Sequence, residues 1–139
     1  MNNWERMKAG RLYNADSKDL EKYHSFGMET CDKFNRTPLW RKKRKQRLLE
    51  KLIPSAKDGG AAIFAPFYCE YGVNIHFGKG CFVNYKCTFL DCAPITLEDG
   101  VWVGANVTIA TPCHPFLSDE RLPQQYPDCL LYTSPSPRD

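Results

Sequence analysis

A chain of 139 residues holds at most one ordinary domain and an appendage, and its formal charge of +3 does not by itself demand a nucleic-acid partner. The apolar fraction of 42% suffices for a folded core, yet no apolar run approaches the length of a membrane span. The first residues, with Asn2, Asn3, Glu5 and Asp16 among them, lack the apolar centre of a signal peptide, so the expected location is the cytoplasm with no membrane partner.

Taken in order, the chain opens with Trp4, Met7, Leu12 and Tyr13 at loosely helical spacing, interrupted by Gly10. Leu20, Tyr23, Phe26, Gly27 and Met28 continue that pattern toward Cys31 and Phe34. A further helix is predicted with Thr37 as its N-cap and Pro38 at its first helical position. Its apolar members are Leu39, Trp40, Leu48, Leu49, Leu52 and Ile53, and Pro54 followed by Gly59-Gly60 ends it. Residues 1–58 therefore read as a helical segment that covers the open end of whatever follows. The run Arg41, Lys42, Lys43, Arg44, Lys45 and Arg47 has the charge of an anion-binding patch. With no aromatic interleaving beyond Trp40 and no recognisable nucleic-acid module, it reads as a solvated helix face, and no nucleic-acid partner is expected.

From Ile63 the composition changes. The same kind of residue returns every six positions, as Ile63, Cys69, Ile75, Cys81 and Cys87, and after a two-residue slip as Ile95, Val101, Val107 and Cys113. Two positions further on stands a second, usually larger apolar group, among them Tyr71, Phe77, Val83, Phe89, Leu97, Val103 and Ile109. Gly72, Gly78, Asn84 and Gly104 follow as turn formers, since Gly and Asn accept the positive φ that β-branched residues resist. A hexapeptide period of this kind is the signature of a β-solenoid in which three hexads close a triangular coil. The small residue points into a narrow interior that admits Val, Ile or Cys and would exclude Phe. One coil cannot bury its own interior, so coils stack on a shared core. An ordinary β-sandwich would explain the alternation but not the six-residue return.

Seven cysteines are too odd a set for a disulfide framework without a secretory signal. Cys69, Cys81, Cys87 and Cys113 fall on the small inward position and read as reduced, compact apolar groups. No CxxC pair is present, so no metal site is expected. Chemistry is sought instead among polar residues outside the inward positions. His114 lies in Thr111-Pro112-Cys113-His114-Pro115, flanked by prolines, and an imidazole there has the means to take and return a proton near neutral pH. Asn84 occupies a corner and has a simple turn role as its alternative. Glu70 and Asp91 are either functional or solvated edge residues.

Four stretches carry a resemblance. Met7-Lys8-Ala9-Gly10-Arg11-Leu12-Tyr13, Cys69-Glu70-Tyr71-Gly72-Val73-Asn74-Ile75, Leu90-Asp91-Cys92-Ala93-Pro94-Ile95 and the run Val101 to Ile109, followed by Thr111 to Pro115, are similar to the maltose and galactoside O-acetyltransferases. The resemblance covers residues 1 to about 128. It implies a left-handed parallel β-helix, an exception to the right-handed rule for crossovers, with an N-terminal helical segment and a homotrimer whose active sites lie between subunits. The implied reaction moves an acetyl group directly from acetyl-CoA to a sugar hydroxyl. His114 matches the general base, Asn84 an acceptor-site position close to that histidine, Glu70 a polar acceptor contact, and Asp16 an acidic acceptor contact in the N-terminal segment. Gly104 lies where the coil approaches the cofactor, and backbone amides would stabilise the oxyanion.

Two departures from the family pattern stand out. Glu98 replaces a corner glycine, which the fold is expected to tolerate. After residue 128 the hexad pattern stops, and residues 129–139 resemble the translation of a sequencing-library adapter. The expectation is that this tail is not biological, that the helix of residues 59–128 is incomplete, and that the chain as written is inactive. A non-catalytic hexapeptide scaffold is the alternative function. A zinc enzyme of the β-helix carbonic anhydrase type would need three histidine ligands, and the solenoid offers only His76 and His114.

Overall fold

The computed structural model describes residues 1–121 and the backbone of the short strand Tyr132–Thr133. Expectations for residues 122–128, and for the tail apart from that strand's backbone, lie outside the described residues.

Three helices come first: α1 (Asn3–Lys8), α2 (Lys18–Arg36) and α3 (Lys42–Leu52). A reciprocal cap starts α1, with the Glu5 amide donating to Asn2 Oδ1 at 2.9 Å and the Asn2 amide donating to Glu5 Oε2 at 3.0 Å. Gly10, at φ +69°, then turns the chain away. One face of α2 is buried through Leu20, Gly27, Thr30, Cys31 and Phe34. A β-carbon at Gly27 would collide with the Glu70 carbonyl oxygen and the Tyr71 α-carbon, so α2 lies directly on the solenoid there.

Thr37 does not begin a helix; it ends one. Its amide donates to the Lys33 carbonyl at 3.1 Å and its hydroxyl to the same oxygen at 2.6 Å, while the following proline holds Thr37 extended. Pro38 to Arg41 form a turn, and α3 begins only at Lys42. A threonine before a proline satisfies both roles on sequence grounds, and here the orphan carbonyls of the longer helix take it. Leu39 and Trp40, expected on the apolar helix face, are 78% and 75% exposed.

A 3-10 turn at Pro54–Ala56 leads into the solenoid. Its strands are β1 (Ala61–Ile63), β2 (Phe67–Cys69), β3 (Ile75–Phe77), β4 (Cys81–Val83), β5 (Cys87–Leu90), β6 (Ile95–Leu97), β7 (Trp102–Val103), β8 (Thr108–Ala110), β9 (Pro112–Cys113) and β10 (Tyr132–Thr133). Three parallel ladders form its faces, β1-β4-β7, β2-β5-β8 and β3-β6, while β9 pairs antiparallel with β10. Strand ends point inward and strand centres outward, as the alternating burial of β1 to β4 and β6 shows.

The register corrects the expected phase. Partners such as Ala61 and Cys81, or Phe67 and Cys87, stand 20 residues apart, so each coil holds two residues more than three hexads. Ile63 pairs with Val83 and Cys69 with Phe89, which puts both on the second apolar position rather than the first. There are two slips, not one: one between β2 and β3, and the expected one between β5 and β6. The first inward position in the opening turn is therefore held by Ala61, Phe67 and Ile75. Phe67, the residue type expected not to fit, is fully buried, its ring edge-on to Phe89 at 5.3 Å. It fits because the first coil opens onto α2 and α3 rather than onto another narrow coil. Cys113 leaves the inward series altogether and is half-exposed. Positive φ occurs at Gly72, Gly80, Gly100, Lys86 and Asn106, not at Gly78, Gly104 or Asn84. Gly78 is needed for room, because a β-carbon would strike the backbone of Glu98 and Asp99.

The helical segment also finishes the open edge of the first coil. Asn35 donates from Nδ2 to the Phe67 carbonyl and accepts the Phe67 amide at Oδ1, both at 2.9 Å, so one side-chain amide replaces a missing strand beside β2. Ser55 does the same for β3, donating to the Ile75 carbonyl at 3.2 Å and accepting the Phe77 amide at 2.9 Å. Leu49, Leu52, Ile53 and Ala56 then close the apolar interior from the same side.

Candidate active site

The two extra residues of each coil enlarge one corner, between the β2-β5-β8 face and the β3-β6 face. That corner is built on Asp91, which is wholly buried. Its Oδ1 accepts the amides of Glu70 and Tyr71 at 3.1 and 2.9 Å, and its Oδ2 accepts that of Asn74 at 3.2 Å. Asn74 Nδ2 returns a bond to the Asp91 carbonyl at 2.8 Å. Burial pushes the Asp91 carboxyl above its ordinary value, and the backbone donors oppose that rise. One coil on, Thr111 repeats the motif: its hydroxyl accepts the Ala93 amide and donates to the Leu90 carbonyl, each at 2.9 Å.

The N-terminal segment packs over this corner. Met7, Tyr13, Leu20, Tyr71 and Cys92 form a second apolar cluster, with Trp4, Ala15, Tyr23 and Val73 at its margin. Burial pushes the Tyr13 and Tyr71 hydroxyls well up and the Cys92 thiol up to about 12, so all three stay protonated. Trp4 stacks on Tyr23 with ring centroids 4.3 Å apart.

Glu70 leaves this corner toward α2, where its Oε2 lies 2.7 Å from His24 Nε2. Both line a groove of about 570 Å³ between α2 and β2, together with Met28, Asp32, Tyr68 and Leu90. Asp16 is exposed in the turn between α1 and α2, next to Ala15 of the corner cluster, and its amide bonds Asn14 Oδ1 at 2.9 Å. His114 is exposed on the segment following β9. It follows by three positions Thr111, which bonds Leu90 and Ala93 at the enlarged corner. Arg121 reaches back to that segment, its Nη1 donating to the carbonyls of Pro115 and Phe116 at 2.8 and 2.9 Å.

Asn84 and Gly104 lie elsewhere. They occupy successive levels of the corner between the β1-β4-β7 and β2-β5-β8 faces, joined by the Asn84 amide to the Val103 carbonyl at 3.0 Å. Gly104 is exposed, and a β-carbon on it would meet nothing. Within one chain, then, Asn84 is not beside His114. An aromatic ladder, Phe64, Phe82 and Trp102, runs up the face next to Asn84, with centroids 5.0 and 6.2 Å apart and Trp102 78% exposed. The sequence singled out neither His24 nor Arg121. Their partners are a carboxylate 46 residues away and two loop carbonyls, and nothing local in the chain marks such pairings.

Among the described residues, no cluster of three or more His, Cys, Asp or Glu side chains is placed to hold a metal ion, and no helix is long and apolar enough to cross a membrane. A coil of three short parallel strands per turn, closed by a helical cap, defines the hexapeptide-repeat acyltransferases with their left-handed parallel β-helix. Residues 6–57 match the family model described as the maltose acetyltransferase hexapeptide capping motif. The crystal structure of a maltose O-acetyltransferase from Clostridium difficile 630 superposes with a TM-score of 0.84 at 30% identity, over 96% of this chain and 68% of that one. A hexapeptide-repeat acetyltransferase from Vibrio cholerae O1 biovar eltor, solved with acetyl-CoA, gives 0.73 at 25% identity, over 96% and 68%. Nodulation protein L of Rhizobium leguminosarum bv. viciae is 36% identical over 128 residues, covering 84% of this chain and 61% of its own. The chain belongs to the maltose and galactoside O-acetyltransferase family. It spans 58% to 61% of the length of the first curated relatives it matches.

Proposed function

We propose that this protein is an O-acetyltransferase that moves an acetyl group from acetyl-CoA to a sugar hydroxyl, with His114 as general base. Supporting this is the enlarged corner itself, where Thr111, three residues before His114, bonds Leu90 and Ala93, Glu70 leaves toward α2, and the N-terminal segment is packed. His114 accepts the hydroxyl proton as the sugar oxygen attacks the thioester carbonyl. The carbon–sulfur bond then breaks, and the proton passes from the imidazolium to the departing coenzyme A thiolate. Glu70, held by His24, and Asp16 bind neighbouring sugar hydroxyls. No acyl-enzyme is needed.

Asn84 and Gly104 complete the site from a second copy of the chain in a homotrimer. The bare surface at Gly104 leaves room for the co-substrate, and the exposed aromatic ladder beside Asn84 is the apolar face a partner would cover. The protein encoded by the genomic reading frame, assayed with acetyl-CoA and a panel of sugars, provides the test. His114→Ala is expected to lower kcat roughly a hundred- to ten-thousand-fold with the fold intact. Equal activity of variant and wild type removes His114 from the mechanism, and absence of both transfer and coenzyme A binding in the wild type returns the protein to a structural role.

A further inference from the structure

Six cysteines lie among the described residues, and their sulfurs are not equivalent. Cys81 Sγ donates to the Glu98 carbonyl and Cys87 Sγ to the Gly104 carbonyl, both at 3.1 Å, so each is committed to the coil above. Cys92 is buried with Tyr13 in the apolar cluster beneath the N-terminal segment. Cys31 and Cys69 instead face each other, Sγ to Sγ at 3.3 Å. They come from different elements, the inner face of α2 and the last residue of β2, and are only 4% and 8% exposed. Both line the groove that also holds His24 and Glu70, the side from which a small reagent would approach them.

We propose that Cys31 and Cys69 form a reversible dithiol–disulfide pair, oxidised by exchange with low-molecular-weight disulfides, that staples α2 to β2 at the floor of this groove. Closure requires the sulfurs to approach by roughly 1.2 Å, to the bonded distance of about 2.05 Å, a rotation of two side chains that already point at each other. The hydrogen bond between the two thiols holds one of them, Cys31, below its ordinary value, whereas Cys69 is pushed up by the same bond and by burial. Either sulfur can open the exchange, and the step is the same from both sides. Starting from the Cys31 thiolate, its sulfur bonds one sulfur of the reagent, the reagent's disulfide breaks, and the first thiolate leaves and takes up a proton. Cys69 then loses its proton, attacks the Cys31 sulfur and releases the second thiol. Two protein thiols and one small disulfide become one protein disulfide and two small thiols. The bond ties together the two elements that carry His24 and Glu70. The proposal is independent of the acetyl-transfer reading.

The experiment incubates the folded protein at graded ratios of reduced to oxidised glutathione, quenches with acid, alkylates free thiols and maps the peptides by mass. The expected result is a Cys31–Cys69 crosslink with two fewer alkylated thiols, formed without denaturant and reversed by dithiothreitol. In either serine variant the crosslink should be lost and the remaining cysteine of the pair should instead accumulate glutathione. Because the wild-type map needs no variant, misfolding of either variant leaves the test standing. Full alkylation of all seven thiols at every ratio overturns the proposal. So does a crosslink that forms only in denaturant, or one joining a different pair.

Discussion

Asp91 uses a carboxylate to do in a corner what strand pairing does on the faces, holding three amides of the coil beneath it. Asp91→Ala leaves those donors buried and unpaired, and is expected to destabilise the fold by roughly 3 kcal/mol or more, read from chemical denaturation. The pH dependence has a definite sign. Burial raises the carboxyl above its ordinary value, so the folded chain holds this proton more tightly than the unfolded one. The resulting stability is present below the ordinary carboxylate value and is lost as the pH rises through the raised one. The Tm of the wild type relative to Asp91→Asn should therefore fall as the pH rises above the ordinary carboxylate range, and a flat difference would contradict the assignment. A buried aspartate in a corner carries no sequence mark that separates it from a solvated one, and its role had to come from the fold.

At the level of elements, the helical cap works through two small side chains as much as through its apolar face. Asn35 supplies both a donor and an acceptor to β2, so Asn35→Leu should cost about 2 to 3 kcal/mol, measurable as a lowered denaturation midpoint. It should also raise the tendency to aggregate, since a strand edge is left bare. Light scattering on heating would detect that. The hexad period was legible in the chain, as was the slip before Ile95. The earlier slip was not, because Ile63 and Cys69 satisfy either apolar position of a strand whose ends both point inward. Only the pairing of Ile63 with Val83 fixes the phase. Thr37 was misplaced for a similar reason: its hydroxyl serves a helix end as readily as a helix start.

On the scale of the whole molecule, the two groups of proposed site residues lie on different edges of one prism. His114, Glu70 and Asp16 are singled out by the family resemblance alone, and that Asn84 and Gly104 fall on another corner is a property of coil length that spacing alone did not reveal. If the site is shared between copies, two inactive variants should complement each other. Co-expressed His114→Ala and Asn84→Ala chains should recover about a quarter of wild-type activity when mixed at random in a closed ring. Each variant alone should stay inactive, and mixtures no better than either parent would remove the shared site.

The 20-residue coil has one further consequence, for how the chain acquires its shape. Each ladder strand meets a neighbour made 20 residues earlier, so the β-pairing is unusually close along the chain and the topological penalty of parallel sheets is reduced. The cap is translated first and offers Asn35 and Ser55 as ready-made templates before any β-strand exists. Winding can then proceed from the N-terminal end, one turn at a time, as the ribosome delivers it.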